Sequence, residues 1–161
     1  MKKWVFSYVI ALAVQISLCP AEQAIHEFQA VDPVLLEKKV PAGYGQVFVE
    51  AGRQNNIDPV VLAAVSAHES GAWKSRIARK KNNWMGLMSR RGPKSFQTPK
   101  ESIFYAARLL NREPFKHRDT LSQIAVIYCA NCPGRWKASV LQWERELRDW
   151  QAADTESARI N

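Results

Sequence analysis

One acidic side chain stands at the end of an apolar run: residues 60–67 form the run and Glu69 follows it. An unpaired carboxylate is costly to bury, so a carboxyl group at the end of a hydrophobic helix tends to have a raised pKa, which suits a general acid. The alternative is a solvated or capping glutamate, the commoner role of acids near helix ends. The adjacent His68 receives no catalytic role, because consecutive helix residues do not face each other.

A pair of cysteines, Cys129 and Cys132, forms the second candidate for chemistry. Their spacing suits a redox pair, half of a zinc site or a local disulfide. A βαβ context for redox chemistry is missing, and no second pair of ligands completes a zinc site. We therefore predict a disulfide that shapes a loop, and we expect neither a metal nor a cofactor.

Helical periodicity dominates the chain, and no stretch alternates with the period of a strand. Asp58 and Pro59 give a start signal for a helix that runs to about Glu69, apolar on all sides and hence buried, with Gly71 placed to end it. The other predicted helices run from Tyr44 to about Gln54–Asn56, from the capping box at Thr98–Glu101 to about Asn111, from Asp119–Thr120 through Tyr128, and from Gly134 to Trp150. Residues 70–97 lack periodicity. Long irregular stretches inside domains are usually functional or disordered, and the tryptophans here argue against disorder.

Four parts make up the predicted organisation. A basic start and a short apolar stretch identify residues 1–21 as a signal peptide, cleaved after Ala21 or alternatively Ala24. An uncleaved anchor is the lesser alternative, and Leu18 and Pro20 make Cys19 a poor lipidation site. Residues 22–42 are a lead-in segment, residues 43–151 a mainly α domain, and residues 152–161 a polar tail.

The chain is basic, with a formal charge of +8 from 23 basic and 15 acidic residues. Removing residues 1–21 removes Lys2 and Lys3 and no acid, which lowers the charge to +6. An exported basic protein, periplasmic or secreted, meets cell-wall polymers or membrane surfaces before nucleic acid. A basic nucleic-acid-binding protein would require the signal peptide prediction to fail. A soluble basic face without a partner is an equally simple interpretation.

The order of these parts resembles the bacterial glucosaminidase family, cell-wall hydrolases of the lysozyme-like superfamily. The resemblance covers about residues 44–150. It rests on several elements in order, none of them specific alone: Glu69-Ser70 at a helix end, Ser75, Asn82-Asn83-x-x-Gly86, Phe96, Glu101-Ser102-Ile103, and Tyr128 followed by a turn and the helix containing Trp136–Val140. Gly86-Leu87-Met88 also looks like lytic transglycosylases on the same fold.

The resemblance implies a lysozyme-like domain that cleaves glycan strands of peptidoglycan, with Glu69 as general acid. It places Tyr128 toward the cleft, where the hydroxyl would orient the substrate; a core aromatic is the alternative. The predicted substrate-binding residues are Trp73, Ser75, Asn83, Trp84 and Phe96. Packing is the alternative for at least one of these aromatics, while Ser75 and Asn83 also suit loop anchoring. Lys80-Lys81 and Arg90-Arg91 flank the expected groove, either as solvated charge or facing acidic peptide stems.

Most glycosidases use a second carboxylate, and no convincing one is present here. Glu101 is better explained by the capping box and Asp119 by a helix cap, and no acid lies between Gly86 and Thr98. This favours assistance by the substrate's N-acetyl group or a transglycosylase reaction, since both need one protein carboxyl. The leading expectation is an N-acetylglucosaminidase. The alternatives are a lytic transglycosylase and a non-catalytic wall-binding module. We expect a monomer without stable membrane insertion after signal cleavage; an envelope or secretion-machine partner is compatible with export.

Overall fold

A helix that runs through the core positions the rest of the chain. The computed structural model describes Glu22 and residues 24–160, and within them the chain forms seven helices and one short hairpin. The helices are α1 (Pro33–Glu37), α2 (Gly45–Asn55), α3 (Pro59–Ser70), α4 (Arg76–Lys81), α5 (Pro99–Leu110), α6 (Leu121–Tyr128) and α7 (Pro133–Ile160). The strands are β1 (Met88–Ser89) and β2 (Gly92–Pro93), which pair antiparallel. The mainly α architecture is as predicted.

Helix α3 is the central element, and it packs against α2, α5 and α7. Its residues from Pro59 to Ala67 are all buried, as the apolar sequence predicts. The Asp58 side chain caps the start by accepting a hydrogen bond from the Val60 N–H at 2.8 Å. Gly71 ends the helix in the left-handed conformation, with φ +58°, which a glycine adopts at little cost.

Helix α7 is tied to the start of α3 by an ion-pair network. Arg148 bonds Oδ2 of the fully buried Asp58, and it bonds Glu144 of its own helix at 2.9 Å. A buried carboxylate needs such partners. The helix begins at Pro133 and continues to Ile160, beyond the predicted end at Trp150, because the residues that follow include good helix formers such as Ala152 and Glu156.

The predicted caps of the other helices hold with two differences. Thr98 caps α5 by accepting from the Glu101 N–H at 3.3 Å, but the Glu101 carboxylate accepts from the Gln97 N–H instead of closing the box. The expectation that Asp119 caps α6 is wrong. Thr120 is the N-cap and Gln123 completes a full capping box, because the hydroxyl one residue later has the required spacing.

The region predicted to be irregular, residues 70–97, contains α4 and the hairpin. Helix α4 is short and basic and has no apolar stripe, so periodicity does not detect it. The hairpin strands have two residues each, too few for alternation. Short polar elements of this kind are held by neighbouring side chains and not by their own hydrophobic pattern.

The lead-in segment packs on the domain through Ile25, which is fully buried. Its N–H donates to the Asp119 carbonyl at 2.8 Å, and its carbonyl accepts from the Asp58 N–H at 3.0 Å. The predicted signal peptide, residues 1–21, lies outside the described residues. Among the helices that are described, none has the length and apolar character needed to cross a membrane.

Candidate active site

Glu69 lies in the last turn of α3, where the buried helix meets the surface. Its side chain is half-buried, whereas the residues from Pro59 to Ala67 before it are buried. The chain then turns sharply, and Gly71, Ala72 and Trp73 all have positive φ. This turn leaves the carboxyl group at the edge of the core with access to solvent.

One oxygen of Glu69 is held by the last helix. The indole Nε1–H of Trp136 donates a hydrogen bond to Oε1 at 2.7 Å. Trp136 is almost completely buried, with 2% of its surface exposed, so its ring is fixed by packing. An indole N–H can only donate, so it fixes the orientation of the carboxyl group.

The other oxygen faces Gly86. A Cβ atom at this position would overlap Oε2 and would lie 2.7 Å from the Glu69 carboxyl carbon. Gly86 also has φ +64°, a conformation that L side chains rarely adopt. Glycine is required here for two reasons: the Glu69 carboxyl group leaves no room for a Cβ atom, and the backbone has a positive φ.

Burial raises the pKa of the Glu69 carboxyl group, and the hydrogen bond from Trp136 acts in the opposite direction by stabilising the carboxylate. The net effect is a raised pKa. Such a group retains its proton at higher pH than a solvated glutamate does, as a general acid requires.

Tyr128 lies beside the same tryptophan. Its ring stacks on Trp136 with centroids 5.0 Å apart, and its hydroxyl donates to the Met85 carbonyl at 3.1 Å. Burial and the nearby charge of Glu69 both raise the pKa of Tyr128, so the hydroxyl stays protonated. Tyr128 thus anchors the backbone immediately before Gly86.

Asn83 holds the loop that contains Gly86. Its Nδ2 donates to the carbonyls of Leu87 and Lys94 at 2.7 and 3.1 Å, and its Oδ1 accepts from the Leu87 N–H at 2.9 Å. The residue is buried, with 4% exposed. These contacts match the loop anchoring expected of Asn83, while its predicted contact with substrate stays a prediction.

Two of the predicted stacking aromatics lie together. Trp73 is half-buried and donates from Nε1 to the Ser66 hydroxyl at 2.9 Å. Its ring lies 6.4 Å from that of Trp84 and 6.3 Å from that of Trp143. Trp84 is buried, with 8% exposed, and packs 4.4 Å from the Tyr44 ring. Trp73 therefore has the more accessible face of the two.

Phe96 lies elsewhere, edge-on to the ring of Tyr105 on α5 at 5.7 Å. Ser75 is the N-cap of α4, where its hydroxyl accepts from the Ala78 N–H at 3.4 Å. Both positions are compatible with support of the loop. Their predicted roles in substrate binding stay predictions.

The His68 side chain contacts α7. Its Nδ1 lies 2.8 Å from the Ser139 hydroxyl on α7, and burial lowers the pKa of its imidazole. A neutral imidazole that joins two helices is a structural contact.

The other acids considered from the sequence are engaged at helix starts. Glu101 is exposed at the N-terminus of α5, and the backbone of Asp119 bonds Gln123 and Ile25 ahead of α6. Among the described residues, no group of three or more His, Cys, Asp or Glu side chains is arranged to hold a metal ion. Within the described residues neither Glu101 nor Asp119 bonds Glu69 or Trp136, and a site with one carboxyl group stays a prediction.

The two cysteines close the turn between α6 and α7. Cys129 and Cys132 are at bonding distance, with their Cα atoms 5.3 Å apart. The turn directly follows Tyr128 and precedes Trp136 by one helical turn. The pair therefore lies between the two aromatic residues that contact the site.

Sequence reasoning missed the contact of Trp136 with Glu69. Trp136 is predicted as an apolar position of the last helix, which its burial confirms. The available signal is that a tryptophan carries a polar N–H, which needs a partner when it is buried. The partner cannot be read from the sequence, since 67 residues separate the two side chains.

A family model with the description Glucosaminidase: Mannosyl-glycoprotein endo-beta-N-acetylglucosaminidase matches residues 45–152. No curated protein matches this sequence. Five chains of solved structures match, among them S. aureus autolysin E in complex with the muropeptide NAM-L-Ala-D-iGlu. That structure is similar with a TM-score of 0.62 and 17% identity, over 80% of this chain and 71% of the other.

The structural likeness confirms the predicted lysozyme-like helical fold. The family match spans most of the chain and includes Glu69, Gly86, Tyr128 and Trp136. The protein therefore belongs to the glucosaminidase family and is a glycoside hydrolase.

Proposed function

We propose that this protein cleaves β-1,4 glycosidic bonds in the glycan strands of peptidoglycan, as an N-acetylglucosaminidase with Glu69 as general acid. The observation that carries the proposal is the environment of Glu69: a half-buried carboxyl group with a raised pKa, held on one oxygen by Trp136. A protonated carboxyl at a solvent-accessible edge can protonate a leaving oxygen.

Peptidoglycan is supported as the substrate by the family and by the similar structure, in which S. aureus autolysin E holds a muropeptide. The basic charge of the chain is compatible with an anionic wall polymer. The same family supports our proposal of an exported location, periplasmic or secreted. N-terminal sequencing of the mature protein would test cleavage after Ala21 or Ala24.

The bond-breaking step needs one proton from the protein. The protonated Glu69 carboxyl transfers its proton to the glycosidic oxygen while the bond from that oxygen to the anomeric carbon breaks. The substrate's acetamido oxygen bonds the anomeric carbon and takes up the developing positive charge. The Glu69 carboxylate then removes a proton from the water that opens this intermediate, which returns the acid to its starting state.

In this mechanism Tyr128 either bonds the substrate directly or acts by holding the loop that contains Gly86. Its proton is committed to the Met85 carbonyl, so its hydroxyl oxygen is left to accept a hydrogen bond from the acetamido N–H. This would orient the acetamido group toward the anomeric carbon. Trp73, with the more accessible ring of the tryptophan pair, is the candidate platform for a sugar ring.

A lytic transglycosylase is the second candidate, and the single carboxyl group of the site favours it equally. In that reaction a hydroxyl of the substrate itself attacks the anomeric carbon and forms an anhydro sugar. The Gly86-Leu87-Met88 triplet is the sequence feature on its side. The two reactions differ in their products and not in their use of Glu69.

Digestion of purified cell wall, with mass analysis of the fragment ends, tests these proposals. Glu69→Gln removes the proton donor, and Glu101→Gln, at the next acid along the chain, serves as the control because a glutamine can still accept the Gln97 N–H. The proposal predicts reducing N-acetylglucosamine ends from the wild type and Glu101→Gln, and none from Glu69→Gln. Anhydromuramyl ends would instead identify the protein as a lytic transglycosylase. If the wild type binds wall without releasing fragments, the protein is a wall-binding module.

A further inference from the structure

The positive charge of this chain is concentrated in one segment. Residues 70–100, here called the basic lobe, contain nine of the 23 lysines and arginines and none of the 15 acids. The rest of the chain holds 14 basic and 15 acidic residues and is close to neutral. The basic lobe comprises the turn after Glu69, helix α4 and the hairpin.

Six of these basic side chains are exposed and make no ion pair within the described residues. They are Lys74, Arg76, Arg79, Lys80, Arg90 and Arg91. Three of them, Arg76, Arg79 and Lys80, line an open groove of about 340 Å³ on α4. An open surface lined by cations of one sign attracts anions and raises their local concentration.

The basic lobe is joined to the catalytic centre by defined contacts. Asn82 donates from Nδ2 to the carbonyls of Phe96 and Gln97 at 3.2 and 2.7 Å, which links the end of α4 to the segment after the hairpin. Asn83 links the same helix end to both sides of the hairpin. Between these contacts and the hairpin lies Gly86, against the Glu69 carboxyl group.

We propose that the basic lobe binds the carboxylates of the acidic stem peptides on the glycan strand that Glu69 cleaves. This inference rests on the function proposed above. The basic lobe begins directly after Glu69 and contacts it again at Gly86, which places the lobe next to the proposed cleavage site along the chain and in space. Carboxylates are the anionic groups that a peptidoglycan strand carries, and arginine binds them with two parallel hydrogen bonds.

The occupant favoured by this position is the substrate and not a membrane. A lipid surface would supply headgroup phosphates to the basic lobe and would not connect it to Glu69. A polymer that spans Glu69 and α4 meets both sites at once, and each contact then strengthens the other.

The test uses two soluble substrates: uncrosslinked glycan strands with stem peptides, and the same strands after an amidase has removed the peptides. The variant is the triple substitution Arg76→Gln, Arg79→Gln, Lys80→Gln in the full chain. The control is Arg112→Gln, Lys116→Gln, Arg145→Gln, which removes the same charge from exposed positions outside the basic lobe.

On peptide-bearing strands at low salt the variant should raise KM about tenfold with kcat unchanged, the size expected for three exposed charge contacts. The difference should vanish on peptide-free strands and near 1 M salt, where the Debye length is about 3 Å. The control should behave as the wild type.

Equal KM values for variant and wild type on peptide-bearing strands would overturn the inference while leaving the cleavage activity intact. The inference also fails if the variant loses binding to vesicles with about one third anionic lipid and keeps its KM on strands. A wild type that cleaves neither substrate would refute the proposed function itself, so the two failures are distinguishable.

Discussion

Alanine in place of Gly86 would insert a methyl group into space that the Glu69 carboxyl group occupies. The new Cβ would lie 2.7 Å from the carboxyl carbon, whereas ordinary contact begins at 3.4 Å. The carboxyl carbon must therefore move by about 0.7 Å or more, and Oε2, which lies closer still to the new Cβ, must move farther. The hydrogen bond from Trp136 cannot keep its 2.7 Å length after such a shift.

The expected loss of activity is large. Displacement of a catalytic group by about 1 Å can cost about 100-fold in rate. The left-handed backbone at φ +64° adds about 1 to 2 kcal/mol of destabilisation for any residue with a Cβ atom. We expect Gly86→Ala to lower kcat on peptidoglycan strands about 100-fold, with a small decrease in the free energy of unfolding.

Gly71→Ala provides the matched control. Gly71 has a similar φ of +58°, but nothing lies within 4 Å of its Cβ position. It should lose the same 1 to 2 kcal/mol of stability, roughly, and keep its activity. Initial rates of strand cleavage and urea unfolding measure the two effects. Our account of the site is refuted if Gly86→Ala retains more than about half of the wild-type kcat, or if both variants lose activity equally, since strain alone would then explain the loss.

Four further results are expected. Trp136→Phe removes the hydrogen bond that stabilises the Glu69 carboxylate, so the pKa of Glu69 should rise further. The alkaline limb of the pH profile of kcat should then move to higher pH, and kcat should fall. A limb that does not move would contradict the role of Glu69 as general acid. The pKa of Glu69 is raised on folding, so the free energy of unfolding of the wild type should fall as the pH rises from the unfolded-state pKa through the folded-state pKa. Glu69→Gln removes this group and should lack the decline. Urea titrations at pH 4 to about 8 would show the difference. Tyr128→Phe keeps the stacking on Trp136 but loses one part-buried hydrogen bond to the Met85 carbonyl. This loss should lower the free energy of unfolding by about 1 kcal/mol, measured by calorimetry, and should reduce kcat. If both values are unchanged, Tyr128 has no role in the site. Reduction of Cys129–Cys132 opens a short loop and should lower the free energy of unfolding by about 2 kcal/mol. Activity should fall in part, because the flanking Tyr128 and Trp136 can then move. Full activity in reductant would show that the turn keeps its shape without the disulfide.

Local signals were sufficient to predict the central helix from the sequence. Asp58 with Pro59 marks its start, the apolar run requires burial on all sides, and Gly71 ends it. Because each of these signals acts within a few residues, the position of Glu69 at the edge of the core could be predicted as well. The same holds for α5, whose capping threonine and proline stand side by side in the sequence.

Contacts between distant segments could not be predicted in this way. The donor to Glu69 lies 67 residues away on α7, and the anchor of the Gly86 loop lies on α6. Helix α4 escaped detection because its Ser75 cap precedes a basic sequence with no apolar face. The cap of α6 required a choice between neighbours, Asp119 and Thr120, which only the spacing to Gln123 decides.

The environment of Glu69 is assembled from segments that leave the ribosome at different times. Glu69 and the loop with Gly86 precede Trp136 in the chain, so the hydrogen bond to the carboxyl group forms only after residues of α7 have been synthesised. A chain that stops before Trp136 lacks the donor to Oε1 of Glu69. The orientation of the Glu69 carboxyl group is thus completed only when α7 packs against α3.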